Sequence, residues 1–266
     1  MRRWLITGVS SGIGAALARH ALELGDAVVG TARDAGTIAN FADLAPGRAR
    51  CLALDLSRPA DIAGAVAHAF ADGPFDVVVN NVGRSIFGAF EETSLEEARE
   101  LFETNVFGTW ALTRAVLPRL RSQGGGKLVM LSSGCGLMGL PGLSAYCASK
   151  FAIEGFSEAL AQEVAGFGVQ VMLVEPGAVA TRFISHGTSE AAERLPDYAF
   201  LSGSGKAVLD AFYQSAATSP DAVAAAIVTA VESGPLPLRL LVGDDLNASV
   251  AAKAAALAAL ASPELP

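Results

Sequence analysis

Histidine and cysteine are scarce in this 266-residue chain, with three of each. His20, His68 and His186 lie far apart and show no ligand spacing, which argues against a metal centre. Cys51, Cys135 and Cys147 are odd in number and also lack metal spacing. Reduced thiols in a cytoplasmic chain are expected, not a disulfide framework. Cys135 and Cys147 flank the candidate site described below and read as packing residues. Charge is sparse too: 17% of residues carry it, and the net charge is −8. An acidic balance of that size argues against nonspecific binding to nucleic acid or to an anionic membrane. No run of about 18 apolar residues occurs, so no membrane span is expected. The opening Met1-Arg2-Arg3-Trp4-Leu5-Ile6 has twin arginines, but Thr7-Gly8 ends its apolar run, leaving no hydrophobic region for a leader.

What the chain does have is apolar residues, 52% of the total, enough for a compact fold with a large core. Short apolar runs alternate with amphipathic stretches. Strands are predicted at Trp4–Ile6, Ala27–Thr31, Arg50–Leu54, Asp76–Val79, Lys127–Leu131, Val169–Val174 and Leu238–Val242. Helical stripes run through Ile13, Leu17, Ala21 and Leu24, and through Ile62, Val66 and Phe70. Longer helices are expected over Leu95–Leu120, disturbed at Asn105 and Gly108, and over Ala145–Val164. Ser219-Pro220-Asp221 has the order of a helix start: capping hydroxyl, proline in the first turn, acid at the positive end. The alanine-rich stretch Ala248–Ala261, broken by Lys253, is expected to dock on the domain or on a neighbouring subunit. This alternation implies an α/β fold with a doubly wound parallel sheet of about seven strands, helices on both faces, and one domain over 1–266. Arg182–Ser215, with Gly187, Pro196, Gly203 and Gly205, has the least regular pattern and is expected to be a substrate loop or lid.

Two groups of residues carry chemistry. Thr7, Gly8, Ser10, Ser11, Gly12, Ile13 and Gly14 fall between the first strand and the first helix. Glycines there permit a tight turn, and a helix N-terminus offers free N–H groups to a phosphate. Tyr146 and Lys150 stand one helical turn apart, so the phenol and the ammonium share a face. A nearby cation is expected to lower the phenol pKa and yield an acid/base usable near neutral pH. Ser133 offers a hydroxyl to steady a carbonyl oxygen. Together these features point to carbonyl–alcohol redox chemistry.

The motif set Thr-Gly-x-x-x-Gly-Ile-Gly at 7–14, Asn80-Asn81-Val82-Gly83, Asn105, Ser133 and Tyr146-x-x-x-Lys150 resembles the classical short-chain dehydrogenases/reductases. The resemblance spans about Arg3 to Phe183. Val82 departs from it, because the family usually has alanine there. The resemblance implies a Rossmann-type fold and a role for each residue. Tyr146 would exchange the proton, Lys150 would lower the phenol pKa and hold the nicotinamide ribose, and Ser133 would bond the substrate oxygen. Asn105 would hold a water in a proton relay through Lys150. Asp55 and Leu56 would border the adenine, and Asn81, with Val82 and Gly83, would contact the adenosine side. Pro176, Gly177, Val179 and Thr181 would surround the nicotinamide carboxamide.

The end of the second strand separates the two nicotinamide cofactors. An acid there binds the ribose diol of NAD, whereas an arginine accommodates a 2′-phosphate. Ala32 occupies the acid's place and Arg33 follows, so NADP(H) is preferred and NAD(H) possible, with Asp34 as a competing carboxylate. Ile86, Phe87, Leu140, Leu143, Phe183, Ile184 and Phe200 are candidates for an apolar pocket. They suit a neutral or apolar ketone, aldehyde or alcohol as the small-molecule substrate. By resemblance the protein assembles as a homodimer or homotetramer through the two long helices. The competing reading is a non-catalytic NADP(H)-binding sensor or scaffold of the same fold.

Overall fold

The computed structural model describes residues 1–181, 183–214, 216 and 218–260. Arg182, Ser215 and Ala261, which bound two of the expected segments, lie outside the described residues. Among the described residues nine strands form: β1 Arg3–Thr7, β2 Ala27–Ala32, β3 Ala49–Ala53, β4 Val77–Asn80, β5 Ser85–Phe87, β6 Gly126–Leu131, β7 Val169–Pro176, β8 Thr188–Glu190 and β9 Arg239–Val242. The helices are α1 Gly12–Glu23, α2 Ala35–Asn40, α3 Pro59–Ala69, α4 Leu95–Phe102, α5 Thr109–Ser122, α6 Ser144–Val164, α7 Phe183–Gly187, α8 Ala199–Ser202, α9 Gly205–Gln214, α10 Pro220–Glu232 and α11 Asn247–Leu260.

Seven strands pair in the order β3-β2-β1-β4-β6-β7-β9, all parallel. Covered on both faces, a central strand has no polar side to show, which is why β4 is built from consecutive valines. Val77 and Val79 join Trp4, Leu17, Met172 and Ile227 in one core, on the side of α1 and α10. Val78 joins Leu5, Leu112, Leu128 and Ile153 in the core under α3, α5 and α6. The chain runs outward from β1 to β3, then crosses back to start the other half at β4. At this reversal the carboxyl ends of β1 and β4 diverge and leave a crevice, the usual ligand position in such sheets.

The predicted strands all form, with ends shifted by one or two residues. The Leu95–Leu120 helix forms as two pieces. Glu103–Gly108 widens into a π-helical turn between α4 and α5. Asn105 sits in that turn: Oδ1 accepts from Arg84 N–H at 2.9 Å, and Nδ2 donates to Arg84 O at 2.9 Å and to Ser149 Oγ at 3.0 Å. Gly108 lets α5 approach the chain after β3 so closely that a Cβ would meet Leu56 O at 2.4 Å.

The expected loop over 182–215 is more regular than its composition suggested. Its described residues hold α7, β8, α8 and α9, and β8 pairs in parallel with β5. These elements are too short to show a period. A buried carboxylate holds them: Glu92 accepts from Ala89 N–H at 2.8 Å, Leu195 N–H at 3.0 Å and Ser202 Oγ–H at 2.8 Å. Helix α11 lies on the domain surface, where Lys253 donates to Leu137 O and sits 4.6 Å from the Phe151 ring centre. No helix among the described residues is long and apolar enough to cross a membrane.

Gly108→Ala is expected to force α5 away from Leu56. Thermal denaturation should show a loss of about 1–3 kcal/mol, the usual cost of overpacking; an unchanged melting temperature would mean the close approach carries no constraint.

Candidate active site

The crevice at the reversal is a cavity of about 870 Å³. Its floor is the turn from β1 into α1. Gly8 (φ +74°) and Gly12 (φ +59°) take left-handed backbone there, which glycine adopts without strain. Gly14 lets the helix rest on the turn: a Cβ would sit 2.2 Å from Gly8 O. Ser11 is the residue before α1, and its side chain caps no N–H of the first turn. Orphan N–H groups at a helix start suit an anion.

Thr7 and Asn81 brace the turn from behind. Asn81 Nδ2 donates to Thr7 O at 2.8 Å and to Gly8 O at 3.1 Å. Thr7 Oγ1 accepts from Asn81 N–H at 2.9 Å and donates to Val79 O at 3.2 Å. One end of the cavity is lined by Ala32, Arg33 and Asp55. Asp34 is engaged elsewhere: its Oδ1 caps α2 by accepting from Thr37 N–H at 2.6 Å, and that bond holds the carboxyl below its ordinary range. Asp55 accepts from Ser57 N–H at 3.0 Å and Ser57 Oγ–H at 2.8 Å. Burial pushes its pKa up, but the Ser57 bonds and the charges of Arg33 and Arg58 bring it below the usual value.

At the other end, β6 delivers Ser133 and α6 delivers Tyr146 and Lys150, all three buried. Ser133 stands beside the Tyr146 phenol and favours its charged form. Lys150 Nζ donates to Leu131 O at 2.7 Å and lies 5.8 Å from the Tyr146 ring centre. The expected lowering of the phenol pKa by Lys150 is not found in this arrangement. Burial pushes Tyr146 well above its ordinary value, the neighbouring Cys135 and Tyr213 push the same way, and Ser133 opposes them. Burial also pushes Lys150 down to about 8, with Cys135 and Glu154 acting against the fall. The physical reason is shared: a dry site disfavours the charged form of both groups.

Of the expected site residues, all but Thr7, Gly14 and Asn105 line this cavity. Those three lie behind its wall. Asn105 Oδ1 and Lys150 Nζ do flank one point, 3.7 and 3.6 Å from where a Gly83 Cβ would be. Val179 and Thr181 close the cavity opposite the turn, and a Gly12 Cβ would come within 3.7 Å of Thr181 Cγ2.

The apolar candidates divide. Phe183 lines the cavity, its ring 5.7 Å from that of Tyr146. Ile86, Phe87 and Leu143 pack instead into a third core beneath Tyr146 with Cys135 and Cys147, and Ile184 is buried. Leu140 and Phe200 are exposed and lie outside the cavity lining. β5 and β8 pair at this point and turn Ile86 and Phe87 inward, which no periodicity over three residues announces. Sequence reasoning missed Arg84, His186 and Tyr213, which also line the cavity. Tyr213 comes from α9, in the segment without a motif. Among the described residues, no group of three metal-ligating side chains occurs.

Comparison with known proteins agrees with this fold. The family model described as short chain dehydrogenase matches residues 2–191. A 3-ketodihydrosphingosine reductase from Bacteroides thetaiotaomicron is 40% identical over 197 residues, covering 73% of this chain and 71% of that protein. A short-chain dehydrogenase from Streptomyces avermitilis, of known crystal structure, superposes with a TM-score of 0.89 at 40% identity, over 97% of this chain and 95% of that one. A short-chain dehydrogenase from Sphingobium yanoikuyae, solved in complex with NADPH, superposes with a TM-score of 0.77 at 26% identity, over 100% of this chain and 97% of that one. With the parallel sheet, the glycine turn at its reversal and the matched model, the chain belongs to the short-chain dehydrogenase/reductase family, oxidoreductases acting on CH–OH groups and their carbonyl counterparts with NAD(P).

Proposed function

We propose that the protein is an NADP(H)-dependent oxidoreductase that interconverts a neutral ketone or aldehyde with its alcohol, using Tyr146 as the general acid/base. The observation that carries this reading is one continuous cavity with Arg33 and the glycine turn at one end and Ser133, Tyr146 and Lys150 at the other. The residues suit a dinucleotide: uncapped N–H groups of α1 face the cavity where a pyrophosphate would lie, and Ser10 and Ser11 line it beside them. Bound nicotinamide supplies or accepts the hydride. Tyr146 delivers a proton to the carbonyl oxygen, or removes it in the reverse direction. Ser133 donates a hydrogen bond to that oxygen. Lys150 sits one turn from Tyr146, where its ammonium offsets negative charge developing on the phenol. The raised phenol pKa keeps Tyr146 protonated at neutral pH, which suits proton delivery.

Turnover with a panel of ketones, aldehydes and alcohols, each with NADPH and NADH, tests the class. Tyr146→Phe should lower kcat by about 10²–10⁴-fold with cofactor affinity retained. A variant keeping most of its kcat would remove Tyr146 from the mechanism. NADPH binding without turnover of any of these substrates would favour the sensor or scaffold reading.

The cofactor preference rests on three consecutive residues. Ala32 presents no carboxylate, Arg33 lines the cavity, and Asp34 is occupied by Thr37. Arg33→Ala should weaken NADPH by about tenfold to a hundredfold, the worth of a charge-assisted hydrogen bond, and NADH little. Ala32→Asp with Arg33→Ala should reverse the preference. Equal weakening of both cofactors in fluorescence titrations would show that Arg33 does not read the phosphate.

Assembly is proposed through α5 and α6, where Trp110 of α5 meets Phe156 of α6 at 5.4 Å between ring centres and Trp110 and Phe107 stand exposed. Sedimentation equilibrium should give a dimer or tetramer at micromolar concentration, and a monomer alone would refute it.

A further inference from the structure

Behind the active-site wall lies a second cluster of charge that the reaction above does not use. Glu175, near the end of β7, is fully buried, and Glu154, on α6 one turn beyond Lys150, is nearly so. Arg239 at the start of β9 donates to both carboxyls through the same nitrogen, Nη1, and to Glu158 through Nη2. Register explains the meeting: Arg239 pairs with Leu173, two residues before Glu175 and on the same face of the sheet. Three carboxyls therefore face one guanidinium.

The two buried carboxyls meet at one atom, since both accept from Arg239 Nη1. Two carboxylates so placed repel each other, and a proton on one of them relieves the repulsion. Glu154 Oε1, Glu175 Oε2 and Ser132 Oγ are buried with no hydrogen-bond partner. Ser132 Oγ and Glu154 Oε1 flank Gly136, at 2.5 and 2.9 Å from where its Cβ would be, and Ser132 itself lines the cavity. One oxygen of each buried carboxyl thus has no donor, and the cluster adjoins the wall that carries Lys150.

We propose that Glu154 and Glu175, clamped by Arg239, form a proton-sharing carboxyl pair that sets the charge state of Lys150 across one turn of α6. The proposal rests on the reading of Lys150 as part of the reaction centre. Glu158 and Arg239 face the pair from α6 and β9, and Cys135, Tyr146 and Glu154 face Lys150. Burial, with Glu154 beside it, pushes Glu175 up to about 7, against the pull of Arg239. Lys150, pushed down to about 8, titrates in the neighbouring range. Below about pH 7 Glu175 holds a proton. Above it Glu175 is charged, and the added charge keeps the proton on Lys150. Glu154 and Glu175 are positioning residues, since they act on the reacting atoms only through Lys150.

Glu175→Gln and Glu154→Gln test this with three readouts: the titration of the Lys150 Cε resonance, assigned against Lys150→Arg, the pH profile of kcat, and the melting temperature against pH. In Glu175→Gln, Lys150 should titrate about one pH unit lower, a shift of the size that one nearby charge imposes. The alkaline limb of kcat should fall with it while KM for the cofactor stays unchanged. Glu154→Gln, nearer to Lys150, should shift it at least as far. Stability gives the independent sign. A carboxyl raised in the folded state stabilises the fold below its unfolded value of 4.5 and loses that contribution as pH rises through about 7. Glutamine has no such loss, so the variant should gain melting temperature relative to wild type over that range. A Lys150 titration that matches wild type in both variants overturns the proposal, whatever the melting curves show. If wild type turns over no carbonyl or alcohol, the oxidoreductase reading fails alone, and the Lys150 resonance still decides the pair.

Discussion

The brace between Thr7 and Asn81 is the constraint on which the remaining geometry depends. It ties the end of β1 to the end of β4 where the strand order reverses, and it does so with half-buried hydrogen bonds to Thr7 O and Gly8 O. A glycine turn is loose by composition, because glycine loses most conformational freedom on ordering. Here Asn81 holds one side of the turn and Gly14 packs against the other. The free N–H groups of α1 are aimed into the cavity only because that turn is held.

Burial governs the reaction end. A dry site raises Tyr146, lowers Lys150 and raises Glu175, each time disfavouring the charged form. Charges placed nearby then return part of that loss. Glu154 favours the ammonium of Lys150, and Arg239 favours the carboxylate of Glu175. The protonation of Tyr146 and Lys150 is thus set less by their mutual spacing than by how much water the third core and the overlying α7–α9 segment keep out. Phe87 is central to that exclusion: it is buried in the third core, and Cβ atoms at Gly142 and Gly205 would each touch its ring at 2.6 Å.

Legibility tracked the range over which a residue's role is decided. The β1–α1 turn, the Tyr146–Lys150 pair and the seven sheet strands are set within a few residues, and the structure has them where their patterns placed them. Over 182–215 the order comes from Glu92 and from β5, about a hundred residues away in the chain, so composition alone suggested a loop. Phe200 and Leu140 looked like pocket residues because they are apolar and near the motif. Their exposure depends on helix and turn packing that short segments do not encode.

By itself the sequence determined the parallel sheet, the place of its glycine turn and the shared helix of Tyr146 and Lys150, because strand burial and helical spacing are local properties. Only the tertiary structure decided the protonation balance of those groups and the meeting of Glu154, Glu175 and Arg239. Desolvation and long-range charge contacts arise when α6, β7 and β9 pack together, and no window of sequence contains all three.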